Sequence, residues 1–361
     1  MGSVIGILAS EAKLWPEFCE AVGSRRFCII DDVNLDVSSN FLYLPRALRL
    51  ATRFREVPKR HQFVASRLLS VGVTMLLSTD RPVSLLNSVA ISCPNVKQIL
   101  VAHTTIQPLN KPRVSETLPF PNRVVLVWGL RDKEILGAVQ PDLRVQVNGS
   151  IRNAAFLRQS KAGLSKSPVN RICLISSHLG ETKEESRKHK PHDIRYLLRE
   201  RLLQLASAAT SALGLPLHIA LKPPTMGFFS EGSEQKYRAE RDYFQRAFGG
   251  KLITYSDPSI RYSSYLASSE STFTLGLPTG ALIEAIGRGS AALSLDTTGS
   301  AEFTALPGQY RIDELDEARI VQYFERIVRR SSHQRTHDMR DWIFDPESDG
   351  PLVRLEDLLS T

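Results

Sequence analysis

TGALIEAIGRG, residues 279–289, joins a turn, two helical turns carrying one carboxylate, and a Gly-Arg-Gly stop. Threonine is a good N-cap, and Gly280 lets the main chain come close to a bound group. First-turn amides and the positive end of the helix dipole together make a berth for a phosphate. Thr279, Gly280 and Ala281 are therefore the candidate phosphate contacts, and Glu284 could accept hydrogen bonds from ribose hydroxyls beside them. The same pattern also occurs in crossover helices that bind nothing. Neither GxGxxG nor GxxxxGK[ST] is present, which disfavours a Rossmann dehydrogenase and a P-loop NTPase.

Other residues could act beside that berth. Lys222 ends the run LHIAL ahead of Pro223 and Pro224, where a compact cation could neutralise a leaving phosphate. His178 leaves the run RICLISS; its candidacy for the same pocket comes from the resemblance described below, whose cleft residues often lie at that position. For proton transfer, His103 closes QILVAH, Asp32 closes RFCIIDD, and Glu116 is a third possibility. Strand-terminal Asp also caps turns, and a lone His after a strand is often structural. The choice of base among Asp32, His103 and Glu116 is open at this level.

The elements that must position these residues follow from apolar runs. SVIGILA, RRFCIIDD, VTMLLST, VKQILVAH, RVVLVWG and LRVQVNG are short β-branched stretches bounded by polar or Gly/Pro punctuation and read as buried strands. Segments such as FVASRLLSVG between them read as helices. After the polar, basic stretch RQSKAGLSKSPVN the pattern restarts with NRICLISS, LHIALKPP, KLITYS, TFTLG and AALSLD, with the amphipathic DIRYLLRERLLQLASAATSAL among them. Two α/β domains with largely parallel sheets are expected. The charged run 181–193 is expected to be a solvated loop that could cover a site.

Bulk composition agrees with a globular chain: 361 residues, 42% apolar and 23% charged. No run approaches the roughly 18 apolar residues of a membrane helix, and no basic region precedes the short apolar start, so a cytoplasmic protein is expected. Four cysteines without a CxxC pair suggest neither zinc nor a disulfide framework. The formal charge of +8 favours an anionic partner, whether nucleotide, lipid surface or nucleic acid.

Four stretches carry a resemblance. TGALIEAIGRGSAALSLD resembles the donor-binding element of GT-B glycosyltransferases. VLVWGLRDKEILGAVQPDLRVQVNGSIR (125–152), NVKQILVAHT (95–104) and LHIALKPP (217–224) resemble segments of bacterial surface and capsular polysaccharide glycosyltransferases, of the Kdo-transferase-like or CDP-glycerol-transferase-like kind. The likeness runs in order over roughly residues 60–300, with Thr104, Ser150-Ile151 and Pro224 departing from the family pattern.

The resemblance implies two Rossmann-like domains facing each other across a cleft. Residues 1–157 would form an acceptor-binding domain, 158–169 a linker and 170–332 a nucleotide-sugar-binding domain. Residues 333–361 would be a C-terminal tail that could return to the first domain. It implies metal-independent transfer of a sugar from a CMP-, UDP- or GDP-linked donor, with no further cofactor, to a glycan or lipid-linked glycan. The enzyme would be cytoplasmic, could sit at the inner face of the plasma membrane with a peripheral contact to anionic lipid, and would bind no nucleic acid. A sugar-nucleotide 2-epimerase or a polyol-phosphate transferase is the alternative on a related frame. A basic nucleic-acid-binding protein is the non-enzyme alternative, opposed by dispersed Lys and Arg and by the lack of an aromatic-basic RNA-binding signature.

Overall fold

The computed structural model describes residues 3–32, 43–80, 83–104, 116–160, 169–176, 194–221, 231–249, 253–295, 306–312 and 317–360. Two compact units divide the chain. The first holds residues 1–106, 110–155 and 348–361, the second 107–109 and 156–347. The division falls inside the helix Ile151–Ser160, earlier than the expected linker, whose residues 161–168 lie outside the described residues.

In the first unit six strands form a sheet in the order β2-β1-β3-β4-β5-β6. They are β1 (Ile5–Leu8), β2 (Phe27–Ile30), β3 (Met75–Thr79), β4 (Lys97–Val101), β5 (Arg123–Val127) and β6 (Val145–Val147). Every pairing is parallel. β1, β3 and β5 are buried along their whole length, the condition that unbroken apolar runs report when helices cover both faces. Gly6 permits a close approach in β1, since a Cβ there would stand 3.0 Å from Val73 Cγ1 and 3.2 Å from Leu68 Cδ2.

The C-terminal helix Gly350–Leu358 belongs to this first unit. Asn148 Nδ2 donates to the Pro351 carbonyl at 3.1 Å, and Arg354 Nη2 donates back to the Asn148 carbonyl at 2.7 Å. Arg25 Nη2 reaches the Glu356 carbonyl at 3.0 Å.

The second unit repeats the architecture with β7 (Val169–Ile175), β8 (Leu217–Ala220), β9 (Ile253–Tyr255), β10 (Ser271–Gly276), β11 (Ala292–Leu295) and β12 (Arg311–Ile312). The order is β12-β11-β10-β7-β8-β9, again parallel throughout. The helix Ser263–Glu270 runs straight into β10 without a loop.

One polar cluster inside this sheet makes stability depend on pH. Arg171 on β7, His218 on β8 and Thr254 on β9 lie side by side: His218 Nδ1 is 2.8 Å from Thr254 Oγ1 and 3.4 Å from Arg171 Nη1. Burial first, and the Arg171 charge second, push the His218 imidazole down from 6.5 to about 4. The unfolded chain therefore binds a proton that the folded protein refuses. This contribution is complete above the unfolded value and is lost as pH falls from about 6.5 to about 4, on the order of 3 kcal/mol. His218→Asn is expected to flatten that part of the stability profile, measured by urea denaturation across this interval.

Candidate functional site

In an open parallel sheet, ligands bind outside the carboxyl ends of the strands at the point where strand order reverses. In the second unit β8 and β9 extend to one side of β7, and β10, β11 and β12 to the other, so the reversal lies between β7 and β10. Gly276 ends β10, and Leu277-Pro278-Thr279 turn the chain into the helix Gly280–Gly287. The stretch singled out by its turn chemistry thus opens at the reversal.

Thr279 is the N-cap with extended backbone, φ −99° and ψ 161°, but its hydroxyl does not cap the helix. The Leu282 and Ile283 amides donate to the Thr279 carbonyl at 3.1 and 3.0 Å. Thr279 Oγ1 is buried without a hydrogen-bond partner among the described residues. A cap hydroxyl ordinarily accepts from N2 or N3; here it accepts from neither, and it lies beside the first-turn amides of Gly280 and Ala281 that no intrahelical carbonyl can reach.

The far end of the helix explains both glycines of Gly-Arg-Gly. A Cβ on Gly287 would come within 2.8 Å of Ile343 Cγ2 and 3.1 Å of Pro346 Cβ, so the 343–346 segment lies against the bare backbone. Gly289 has φ +85°, the left-handed conformation of a helix stop. Gly287→Ala is expected to lose about 1–3 kcal/mol through overpacking, read as a shift in the denaturation midpoint.

Glu284 departs from its expected role. It is 1% exposed, and its Oε2 accepts from the Tyr265 hydroxyl at 2.6 Å. The Arg288 guanidinium lies 4.9 Å above the Tyr265 ring and 5.1 Å above Phe156, and donates to Ser268 Oγ at 3.1 Å. Burial lowers the Arg288 pKa, opposed by Glu284 and Tyr265. The carboxylate faces inward because its helix packs that side on the helix Ser263–Glu270; a ribose would have to displace Tyr265 to reach it.

The switch strand also carries a feature with no signal in the sequence. Ser176, just past β7, donates through Oγ to Glu240 Oε1, and Glu240 is 4% exposed on the helix Glu231–Ala247. In the run KYRAERDYF this acid reads as part of a solvated face. Lys222 and His178 lie outside the described residues, as does the charged run 181–193.

In the first unit the reversal lies between β1 and β3. Asp32, past β2, spends both carboxylate oxygens on Ser10: Oδ1 accepts from the amide at 3.0 Å and Oδ2 from the hydroxyl at 2.5 Å. It therefore fastens the start of the helix Ala9–Leu14, which follows β1 directly, instead of standing ready as a base. Glu116 is exposed, and its carbonyl accepts from Asn87 Nδ2 at 2.9 Å. The segment it begins leads into the amino end of β5: Arg123 Nη1 holds the Leu118 carbonyl at 2.8 Å, and Asn122 Nδ2 holds that of Pro94, ahead of β4, at 2.8 Å. Glu116 thus belongs to the edge opposite the ligand-binding one.

His103 stands at the carboxyl edge, past β4, and is paired. Its Nδ1 is 2.8 Å from Asp80 Oδ1, and its main-chain amide donates to the same oxygen at 3.3 Å. Since a carboxylate only accepts, Nδ1 carries the proton and Nε2 is the nitrogen with a lone pair for substrate. Both side chains are partly solvent-accessible, 15% for His103 and 24% for Asp80. Asp80 ends VTMLLSTD; β3 and β4 pair with Thr79 opposite Val101, which brings the acid and the imidazole past the strand ends together. Sequence reading found both strands but not their adjacency.

Among solved structures the chain is similar over 99% of its length to several enzymes. The UDP-GlcNAc 2-epimerase of Methanocaldococcus jannaschii, in complex with UDP-GlcNAc and UDP, matches with TM-score 0.55 and 11% identity over 99% of this chain and 100% of that one. The UDP-forming α,α-trehalose-phosphate synthase of Burkholderia xenovorans, with glucose-6-phosphate, matches with TM-score 0.53 and 10% identity over 99% of each. A glycosyltransferase from Rickettsia africae matches with TM-score 0.51 and 11% identity over 99% and 97%. The fold is the two-domain GT-B fold. No protein-family model and no curated protein matches the chain. Among the described residues no helix is long and apolar enough to cross a membrane, and no group of three or more His, Cys, Asp or Glu could hold a metal ion.

Proposed function

We propose that the protein is a glycosyltransferase that moves a sugar from a nucleotide-activated donor, held by the second unit, to a hydroxyl acceptor handled by the first. The observation that carries this reading is the N-cap hydroxyl of Thr279 left unpartnered at the reversal of strand order, beside the first-turn amides of the 280s helix. In the proposed step the acceptor oxygen forms a bond to the anomeric carbon as the bond from that carbon to the nucleotide phosphate oxygen breaks. The acceptor proton passes to His103 Nε2, and the electron pair leaves with the phosphate. The Gly280 and Ala281 amides and the Thr279 hydroxyl then meet a charge that grows only during transfer, which is where such donors accelerate a reaction. A base on the acceptor suits a single displacement with inversion.

The finer reading is a donor linked to CMP, UDP or GDP and a glycan or lipid-linked glycan acceptor of a bacterial surface polysaccharide, reached at the inner membrane face. A 2-epimerase is the second reading, favoured by the full-length likeness to the M. jannaschii enzyme. Thermal stabilisation by CMP, UDP and GDP comes first: a nucleotide at about 100 times its Kd adds roughly 2.7 kcal/mol. The matching nucleotide sugars are then incubated with and without glycan acceptors. A transferase frees the nucleotide and extends the acceptor; an epimerase needs no acceptor and returns an altered sugar still attached. Absence of stabilisation by every nucleotide contradicts both.

A further inference from the structure

The edge of the first unit's sheet carries a feature that the transfer chemistry does not use. β2 stands at one end of the strand order, and among the described residues it pairs with β1 alone. It reads Phe27-Cys28-Ile29-Ile30, without the charge, proline or bulge that ordinarily blunts a sheet edge. Phe27 is 41% and Ile29 46% exposed, and as alternate residues they share one face. The Ile5 amide donates to the Arg26 carbonyl at 3.1 Å, and Ile5 stands opposite Phe27. That register turns the main-chain groups of Arg26, Cys28 and Ile30 toward β1 and those of Phe27 and Ile29 outward. Charge brackets the apolar run, with Arg25-Arg26 before it and Asp31-Asp32 after it. Among the described residues the Arg25 guanidinium is held by neutral groups only, the Ala21, Val22 and Glu356 carbonyls and the Ser360 hydroxyl. The Asp31 side chain is half-exposed, with Arg67 Nη1 at 3.8 Å.

We propose that β2 is the seam of a homodimer, in which two copies pair this strand antiparallel about a twofold axis between their Cys28 residues. Twofold closure puts the axis between directly opposed residues, so one residue must face its own copy. With Cys28 in that place, Phe27 of each copy faces Ile29 of the other. These are the residues whose main-chain groups point outward, so each such pair exchanges both its hydrogen bonds while the exposed side chains meet on one face. Arg25 then faces Asp31, and the basic end of each strand lies along the acidic end of the other. Moving the axis to Phe27 sets Arg25 against Ile29, and moving it to Ile29 sets Phe27 against Asp31; only the Cys28 register matches apolar with apolar and cation with anion. The two sheets become continuous. Because the joined strands run oppositely, the carboxyl edges where His103 and Asp80 stand point opposite ways. The inference goes beyond the proposed function and does not rest on it.

Sedimentation velocity of the full chain over a concentration series tests it, with a reversible dimer as the expected result. F27K/I29K puts lysine against lysine at both symmetry-related pairs and is expected to weaken the dimer Kd at least about a hundredfold. Ile29→Pro deletes only an outward amide, at the kind of edge position where proline is tolerated, and is expected to disrupt the dimer independently. Diamide, which takes up the hydrogens of a thiol pair, is expected to join two copies through Cys28. Opposed residues of a non-hydrogen-bonded pair stand about 4.5 Å apart at Cα, within the roughly 4.4–6.8 Å that a disulfide spans. Cys28→Ser should lose the crosslink and keep the dimer, whereas Cys19, the other half-buried thiol, should give none. A monomer at about 100 μM, a dimer that both edge variants leave intact, or a crosslink through Cys19 in place of Cys28 overturns the proposal. Stabilisation by nucleotide is expected to be the same in parent and edge variants, and its failure in all of them would remove the donor reading while leaving the dimer standing.

Discussion

His103→Gln is expected to lower turnover by about 10²–10⁴-fold, the range for loss of a positioned general base, while nucleotide-dependent stabilisation is retained. The retained half follows from the proposed division of labour: His103 belongs to the first unit, and Thr279, Gly280 and Ala281, the proposed phosphate contacts, belong to the second. Asp80→Asn separates a base from a structural histidine. Its Oδ1 fixes the proton on Nδ1 by accepting from ring and main chain at 2.8 and 3.3 Å. An asparagine that turns its amide nitrogen to Nδ1 would favour the opposite tautomer and take the lone pair away from substrate. A fall in kcat with little change in KM is the signature of that effect. Unchanged turnover in both variants, with the acceptor and donor at saturation, would remove the pair from the chemistry.

The largest loss of stability is expected at Arg123. This residue is 1% exposed, yet its guanidinium has amide and carbonyl partners only in the hydrogen bonds that hold it: Gln98 Oε1 from Nε at 2.9 Å and Nη2 at 2.7 Å, Asn87 Oδ1 at 2.7 Å and the Leu118 carbonyl at 2.8 Å. It also lies 4.9 Å from the Phe120 ring centre. Burial brings its pKa down to about 10, still charged at neutral pH. Arg123→Met fills similar volume but strands three acceptors, Gln98 among them at 0% exposure. Each stranded group costs about 1–3 kcal/mol, so a loss of about 3–5 kcal/mol is expected after partial relaxation, a large share of the 5–15 kcal/mol typical of a folded domain. Arg123→Lys keeps the charge without the fork and should fall between. A change of under about 1 kcal/mol in urea would mean that water replaces the guanidinium.

Strand order along the chain was legible because parallel strands buried on both faces leave unbroken apolar runs, as RVVLV and MLLST do. β12 was not: two residues, Arg311 and Ile312, carry no periodicity. The turn at Thr279 could be read from local rules, since capping residues act within a few positions. Its importance comes from the reversal beside it, which depends on pairing β10 with β7 across 100 residues and has no local signature. The same limit hid Asp80 behind His103. Burial was the other missing quantity: Glu284, Asp32 and Glu240 are each ordinary acids in sequence, and only packing decides that Tyr265, Ser10 and Ser176 take their oxygens. Glu116 shows the cost of ignoring strand polarity, because a carboxylate at the amino edge stands away from the ligand-binding end.

The central claim, that amides opening the 280s helix receive a nucleotide phosphate, is tested most directly by Gly280→Pro. Thr279 already has the extended backbone that a following proline requires, and the first helical position loses no intrahelical hydrogen bond. The substitution deletes one donor and brings a ring to the place of close approach while sparing the helix. Calorimetric titration of the best-binding nucleoside diphosphate into both proteins should give at least about a tenfold weaker Kd for the variant, a change of about 1.4 kcal/mol, at unaltered melting temperature. Equal affinity in the two proteins would contradict the account.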